Sequence, residues 1–182
     1  MIVNGAERSN RFLFVVWSKA RSFEERILDE VSSRFKVVRT FEVSWPCRHF
    51  TANLAAFYGW KGRFCWWNKA RKCGRGPFLV IEVEDPSPKW ERGGDTSGHN
   101  LNLNKNVQDL KNTLRVMTGH NNRIHASMTR EETSHELVAL ASAGPDGRIP
   151  YREMKYGDDP DTTCGRHLLP KRNRREIGRA HV

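Results

Sequence analysis

The sequence predicts an α/β (α+β) fold: an antiparallel sheet in ferredoxin-like βαββαβ order, with helices on one face. Three observations carry this. Compact runs rich in Val, Ile and Phe occupy 11–17, 36–45 and 77–84, as strands require. Helical apolar spacing separates the first run from the second and follows the third. A short strand signal at 123–126 is then followed at once by a second helix start. A short helix at 50–58 is set aside in deriving the βαββαβ order.

Arg11-Phe12-Leu13-Phe14-Val15-Val16-Trp17 is continuously apolar after its first residue and reads as a central strand buried on both faces. Ser22-Phe23-Glu24-Glu25 is a capping-box signature opening a helix over 22–35, with Phe23, Ile27, Leu28 and Val31 on one face. The second strand alternates Val37, Val38, Phe41 and Val43 with polar residues, and Pro46 closes it. Residues 59–76 mix Trp, Arg, Lys and Gly and are expected to form an irregular basic-aromatic loop. The run 77–84 is a strong strand, and 85–102 reads as a long loop. A helix over 104–117 carries Val107, Leu110, Leu114 and Met117 as its core stripe, with Lys111 and Arg115 together on a second face. Gly119 ends it. Thr129-Arg130-Glu131-Glu132 is a second capping box, starting a helix over 129–141.

Periodicity vanishes after Ser142. Residues 1–142 are read as one domain and 143–182 as a disordered tail. Its last seven residues, Glu176-Ile177-Gly178-Arg179-Ala180-His181-Val182, read as a translated sequencing adapter and are set aside.

The chain has 182 residues, a net charge of +10 and a pI of about 9.8. This balance favours anionic partners such as nucleotides or nucleic acid. No run of about 20 apolar residues occurs, so no transmembrane helix is expected. The first ten residues lack the apolar run of a signal peptide, and a cytoplasmic protein is expected. Four cysteines occur without a CxxC pair, so reduced thiols are expected. Cys47, His49, Cys65 and Cys73 match no standard zinc spacing, and no metal site is assigned.

The chemistry concentrates in Asn122-Arg123-Ile124-His125-Ala126-Ser127 and the helix behind it. A histidine beside a helix N-terminus, with a carboxylate eleven residues on at Glu136, suits phosphate handling. A phosphotransferase needs an imidazole nucleophile, a partner for its other nitrogen and cations around the phosphoryl group. His125 supplies the nucleophile. Lys111, Arg115 and Lys19 are candidate phosphate clamps. A solvated face is the alternative for Lys111 and Arg115. His120 and His135 are expected at the surface.

With these residues in view, the chain resembles the nucleoside diphosphate kinase-like family over about residues 10–142. That family carries Asn-x-x-His-Gly-Ser-Asp with a glutamate eleven residues past the histidine. This chain has Asn122, His125, Ser127 and Glu136 at that spacing, with Ala126 and Met128 in place of the Gly and Asp. Ser32-Ser33-Arg34-Phe35 and Gly76-Pro77-Phe78 resemble two further family segments. The family's Lys-Pro-Asp after the first strand stands here as Trp17-Ser18-Lys19, its lysine two positions later. The resemblance implies a kinase moving a phosphoryl group from ATP or another nucleoside triphosphate, with Mg²⁺, through a phosphohistidine. It implies that Glu136 orients His125, that Asn122 bonds the nucleotide, and that the protein forms homo-oligomers. In a nucleotide enzyme one aromatic of Tyr58, Phe64 or Trp66 would stack on the base.

The alternative is a catalytically inactive nucleotide- or RNA-binding module on the same fold. The cations and tryptophans of 60–72 suit single-stranded nucleic acid, and equally suit packing of the rings on the core with the cations in water.

Overall fold

The computed structural model describes residues 10–59, 65–94 and 100–150. The elements are β1 (Arg11–Val16), α1 (Glu24–Ser32), β2 (Lys36–Val43), α2 (Cys47–Phe57), α3 (Trp66–Cys73), β3 (Phe78–Glu84), β4 (Trp90–Gly94), β5 (Asn100–Asn104), α4 (Lys105–Thr118), β6 (Ile124–Ala126) and α5 (Arg130–Ala141). A 3₁₀ helix, Ser18–Phe23, leads into α1.

Four strands form one sheet in the order β2-β3-β1-β6, and every neighbouring pair is antiparallel. Numbered as the four strands of a βαββαβ unit, this is 2-3-1-4, the expected ferredoxin-like order. The register sets Val15 opposite both Val80 and His125. β1 is therefore central and buried on both faces, which is why its sequence is a solid apolar run.

The two crossover helices lie on one face, as expected. Ile27 and Val31 of α1 and Val107, Leu110 and Leu114 of α4 pack on Phe12, Phe14, Val16 and Ile81. The opposite face is not open, however. Leu13, Val15, Trp17, Phe78 and Val80 form a second core with Phe50, Leu54 and Phe57 of α2, Ala70 and Cys73 of α3, and Ala139 of α5. Helices thus cover both faces, because α2, α3 and α5 bring apolar residues that β1 and β3 need on their second side. Glu82 is the exception on that face. Buried in β3, it accepts from Arg11 at 3.0 Å and Arg39 at 2.6 Å.

Several local expectations change. The capping box at Ser22 does not form: Phe23 is the N-cap of α1 with no side-chain bond, and Arg21 holds Glu24 instead. Within 59–76, residues 66–73 are helical, and 60–64 lie outside the described residues. Within 85–102, β4 and β5 pair as a hairpin. Buried Asp85 ties this hairpin to α4 by accepting from Asn104 and Asn106, while Asn104 caps α4. The start of the expected tail is ordered against the core. Ile149 is buried, its N–H donates to Asn53, and Asn53 donates to the carbonyl of Gly147. Residues 151–182 lie outside the described residues. Among the described residues no helix is long and apolar enough to cross a membrane.

Candidate functional site

β6 brings His125 onto the face covered by α2, α3 and α5, opposite Val15. The strand is fixed on both sides of the histidine. Trp17 donates its N–H to the carbonyl of Arg123, and Ser127 donates its N–H to the carbonyl of Leu13. The Ser127 hydroxyl accepts from the Leu13 N–H at 2.8 Å and meets Thr133 at 2.8 Å, so Ser127 holds the strand–helix turn together. Thr129 caps α5 as expected, accepting from the Glu132 N–H at 3.0 Å. Glu132 returns to the N–H of Met128 rather than to that of Thr129. The capped helix points Glu136 back at the strand.

The result is a direct bond between His125 Nε2 and Glu136 Oε1 at 2.5 Å. The two side chains are 6% and 1% exposed, so the pair is screened little by water. The edges of Phe57 and Tyr58 enclose the imidazole, with ring centroids 5.6 and 4.7 Å from it. Trp66 stacks on Tyr58 at 5.6 Å. Lys69 Nζ lies over the Tyr58 ring, 3.6 Å from its centroid. Burial pushes the Tyr58 hydroxyl well above its ordinary range, helped by Cys73 and Glu136, so it stays protonated. Burial also lowers the Lys69 amine to about 8, against the attraction of Cys73 and with the repulsion of Lys111 and Arg115.

Lys111 and Arg115 share a face of α4, as expected, and both reach β6. Residues 123 and 127 bond to β1, so the carbonyls of Ile124 and Ala126 point to the outer edge of the strand. Lys111 Nζ donates to Ala126 at 3.0 Å, and Arg115 Nε donates to Ile124 at 3.3 Å. Lys111 is buried and Arg115 half-buried, and burial lowers the Arg115 pKa. The solvated-face alternative is therefore wrong for Lys111.

Lys19 is exposed on the 3₁₀ helix, beside the C-terminal end of α3. Asn122 uses its backbone: its carbonyl accepts from Cys73 at 3.1 Å, and its N–H donates to His120. His135 is half-buried and meets the carbonyl of Ala56, so it is not the surface residue expected. Phe64 lies outside the described residues.

Sequence reasoning missed Lys69 and Glu132. Lys69 was hidden because a lysine in a basic segment reads as solvated. The signal for it was Trp66, Ala70 and Cys73 at helical spacing, which sets Lys69 beside Trp66 on the inward side. His125, Glu132 and Glu136 each offer a ligand atom within 4.8 Å of the others, so this trio could hold a metal ion. Lys69 interacts electrostatically with Glu136 and would oppose a cation there.

No family model matches the chain, and no curated protein matches it. Among solved structures it is similar to the nucleoside diphosphate kinase of Aquifex aeolicus, at 15% identity and TM-score 0.45, covering 70% of this chain and 92% of that one. A nucleoside diphosphate kinase family protein from Babesia bovis gives 15% and 0.46, covering 70% and 85%. The Borrelia burgdorferi enzyme with bound vanadate and ADP gives 15% and 0.43, covering 81% and 94%. Likeness at this level carries no argument about activity. The fold assignment stands on the strand order and register of the sheet itself.

Proposed function

We propose that this chain is a divergent histidine-dependent phosphotransferase, moving a phosphoryl group from a nucleoside triphosphate through phospho-His125. The observation that carries the reading is the buried 2.5 Å bond between His125 Nε2 and Glu136. A carboxylate there would hold the proton on Nε2, and attack would then fall to Nδ1. The Nδ1 lone pair would form the P–N bond as the bond from the γ-phosphorus to the β,γ-bridging oxygen breaks. That electron pair leaves with the nucleoside diphosphate, and an acceptor oxygen later reverses the step.

Glu136 would balance the imidazolium charge that develops. Tyr58, protonated and on the ring edge of His125, would border the phosphoryl path. Lys111 and Arg115 would add positive charge along the same edge of β6, and Asn122 and Lys19 would approach the nucleotide from the adjacent loops. The cation-rich surroundings fit polyphosphate. With Glu136 engaged by His125, Glu132 would be the carboxylate of this trio left to hold magnesium, which when bound neutralises phosphate charge.

The burial of His125 under Tyr58 and Trp66 favours a second reading: a nucleotide- or RNA-binding module without turnover. Incubation with γ-labelled ATP separates the two. The first reading expects an acid-labile, base-stable label on the wild type and none on His125→Ala or His125→Gln, each confirmed folded by its melting curve. Equal labelling of all three, or of none, overturns it. Nucleotide binding without any label establishes the second.

A further inference from the structure

We propose that Lys69, carried on α3, is the cation that grips the polyphosphate of a nucleoside di- or triphosphate at this site, in place of a lysine from the loop after β1. The assignment rests on the phosphotransferase reading for its ligand class. Its geometry stands independently.

Lys69 stands beside the histidine's own wall. Its Nζ lies 3.6 Å from the centre of the Tyr58 ring, and that centre is 4.7 Å from the centre of the steeply inclined His125 ring. One aromatic ring thus joins the amine to the imidazole. Lys19, by contrast, is exposed beyond the far end of α3. Its described packing is against Gly74 at the end of α3, whereas Lys69 lies on the Tyr58 ring.

α3 is fixed at three points. Trp66 stacks on Tyr58. Ala70 and Cys73 are fully buried in the second core, and Cys73 donates to the carbonyl of Asn122. At the end of the helix, Gly74 has φ +87° and packs against Ser18 and Lys19 so closely that an added Cβ would lie 2.1 Å from Ser18 Oγ. Such a close approach requires glycine. The helix therefore has little freedom to carry Lys69 away from Tyr58.

The groups facing Lys69 determine what it would bind. Among the described residues, Cys73 is on its own helix, Tyr58 caps the end of α2, Lys111 and Arg115 are on α4, and Glu136 is on α5. Burial pushes the Cys73 thiol up to about 12, so it carries no negative charge near neutral pH. Glu136 is engaged by His125. Burial, with the repulsion of Lys111 and Arg115, already holds the amine at about 8. A group in that condition gains most from a polyanion, because phosphate oxygens remove both the repulsion and part of the desolvation cost.

The test uses the full-length chain with ADP as probe, and Lys69→Met and Lys69→Arg with melting curves as fold controls. Lys69→Met should weaken ADP binding at least tenfold, and Lys69→Arg should recover part of the loss. The Lys69 amine, followed by NMR of labelled lysine, should titrate near pH 8 without ADP and at least one pH unit higher with it. The assignment is overturned if folded Lys69→Met binds ADP within twofold of wild type, if Lys19→Met costs more than Lys69→Met, or if ADP leaves the titration unmoved. A moved titration with no label on His125 from ATP leaves Lys69 standing and removes the transfer reaction. A label on His125 with an unmoved titration does the reverse.

Discussion

Removing Glu136 is the perturbation that reaches furthest into this structure. Its bond to His125 spans 2.5 Å between side chains 1% and 6% exposed. A hydrogen bond to a charged group contributes about 1.5–3 kcal/mol. Deleting one member of a buried pair costs about 3–5 kcal/mol, because the other is left desolvated without its partner. Glu136→Ala should therefore destabilise by about 3–4 kcal/mol. Glu136→Gln, which keeps a hydrogen-bonding oxygen, should cost about 1.5–2 kcal/mol. In a double-mutant cycle, His125→Ala and Glu136→Ala should couple by about 1.5–3 kcal/mol. Urea unfolding at unchanged denaturant slope measures all four states. If the phosphotransferase reading holds, Glu136→Gln should also slow labelling of His125 by about a hundredfold. Additive effects within about 0.5 kcal/mol would show that the contact carries no energy and refute the reasoning.

Four further outcomes follow from named contacts. Lys111→Met strips the donor from the Ala126 carbonyl and should cost about 1–3 kcal/mol in urea unfolding, because that carbonyl is buried. Gly74→Ala forces a Cβ to 2.1 Å from Ser18 Oγ at φ +87° and should lower stability by about 1–3 kcal/mol, read as a reduced Tm. Cys47 and Cys65 are exposed, while burial holds the Cys73 thiol near 12. Iodoacetamide at pH 8 should therefore label the first two and spare Cys73 until urea unfolds the chain, as peptide mapping would show. Lys69 has a folded pKa of about 8 against 10.5 when unfolded, so the unfolded chain binds more protons between those values. Stability should rise with pH across that window, and Lys69→Met should flatten the rise.

What was legible in the chain depended on how plainly each residue type signals its environment. The solid run Phe12–Trp17 can be read only as a strand buried on both faces, and the spacing from His125 to Glu136 survives folding because a capped helix returns along its strand. α3 was obscured for the opposite reason. Its buried positions are Ala70 and Cys73, too small to register as an apolar stripe amid Trp, Lys and Arg. The hairpin strand β5 did carry a signal, since Asn100-Leu101-Asn102-Leu103-Asn104 alternates with period two. Its polar half made it resemble a loop. Glu82 and Lys111 could not be foreseen inside the protein, because their burial depends on Arg11, Arg39 and the Ala126 carbonyl, all distant in sequence or provided by the backbone.

The two cations bound along the outer side of β6 also govern how copies of this chain can meet. The border strand of a sheet is a template for another chain, and an exposed template invites uncontrolled stacking. Here an incoming strand would first have to displace Lys111 and Arg115 from the Ala126 and Ile124 carbonyls, at about 1.5–3 kcal/mol each. At the opposite border, β2 presents exposed Lys36 and Arg39 and a register break between Val37 and Arg39. Both borders of the four-stranded sheet are thus guarded against extension by another chain.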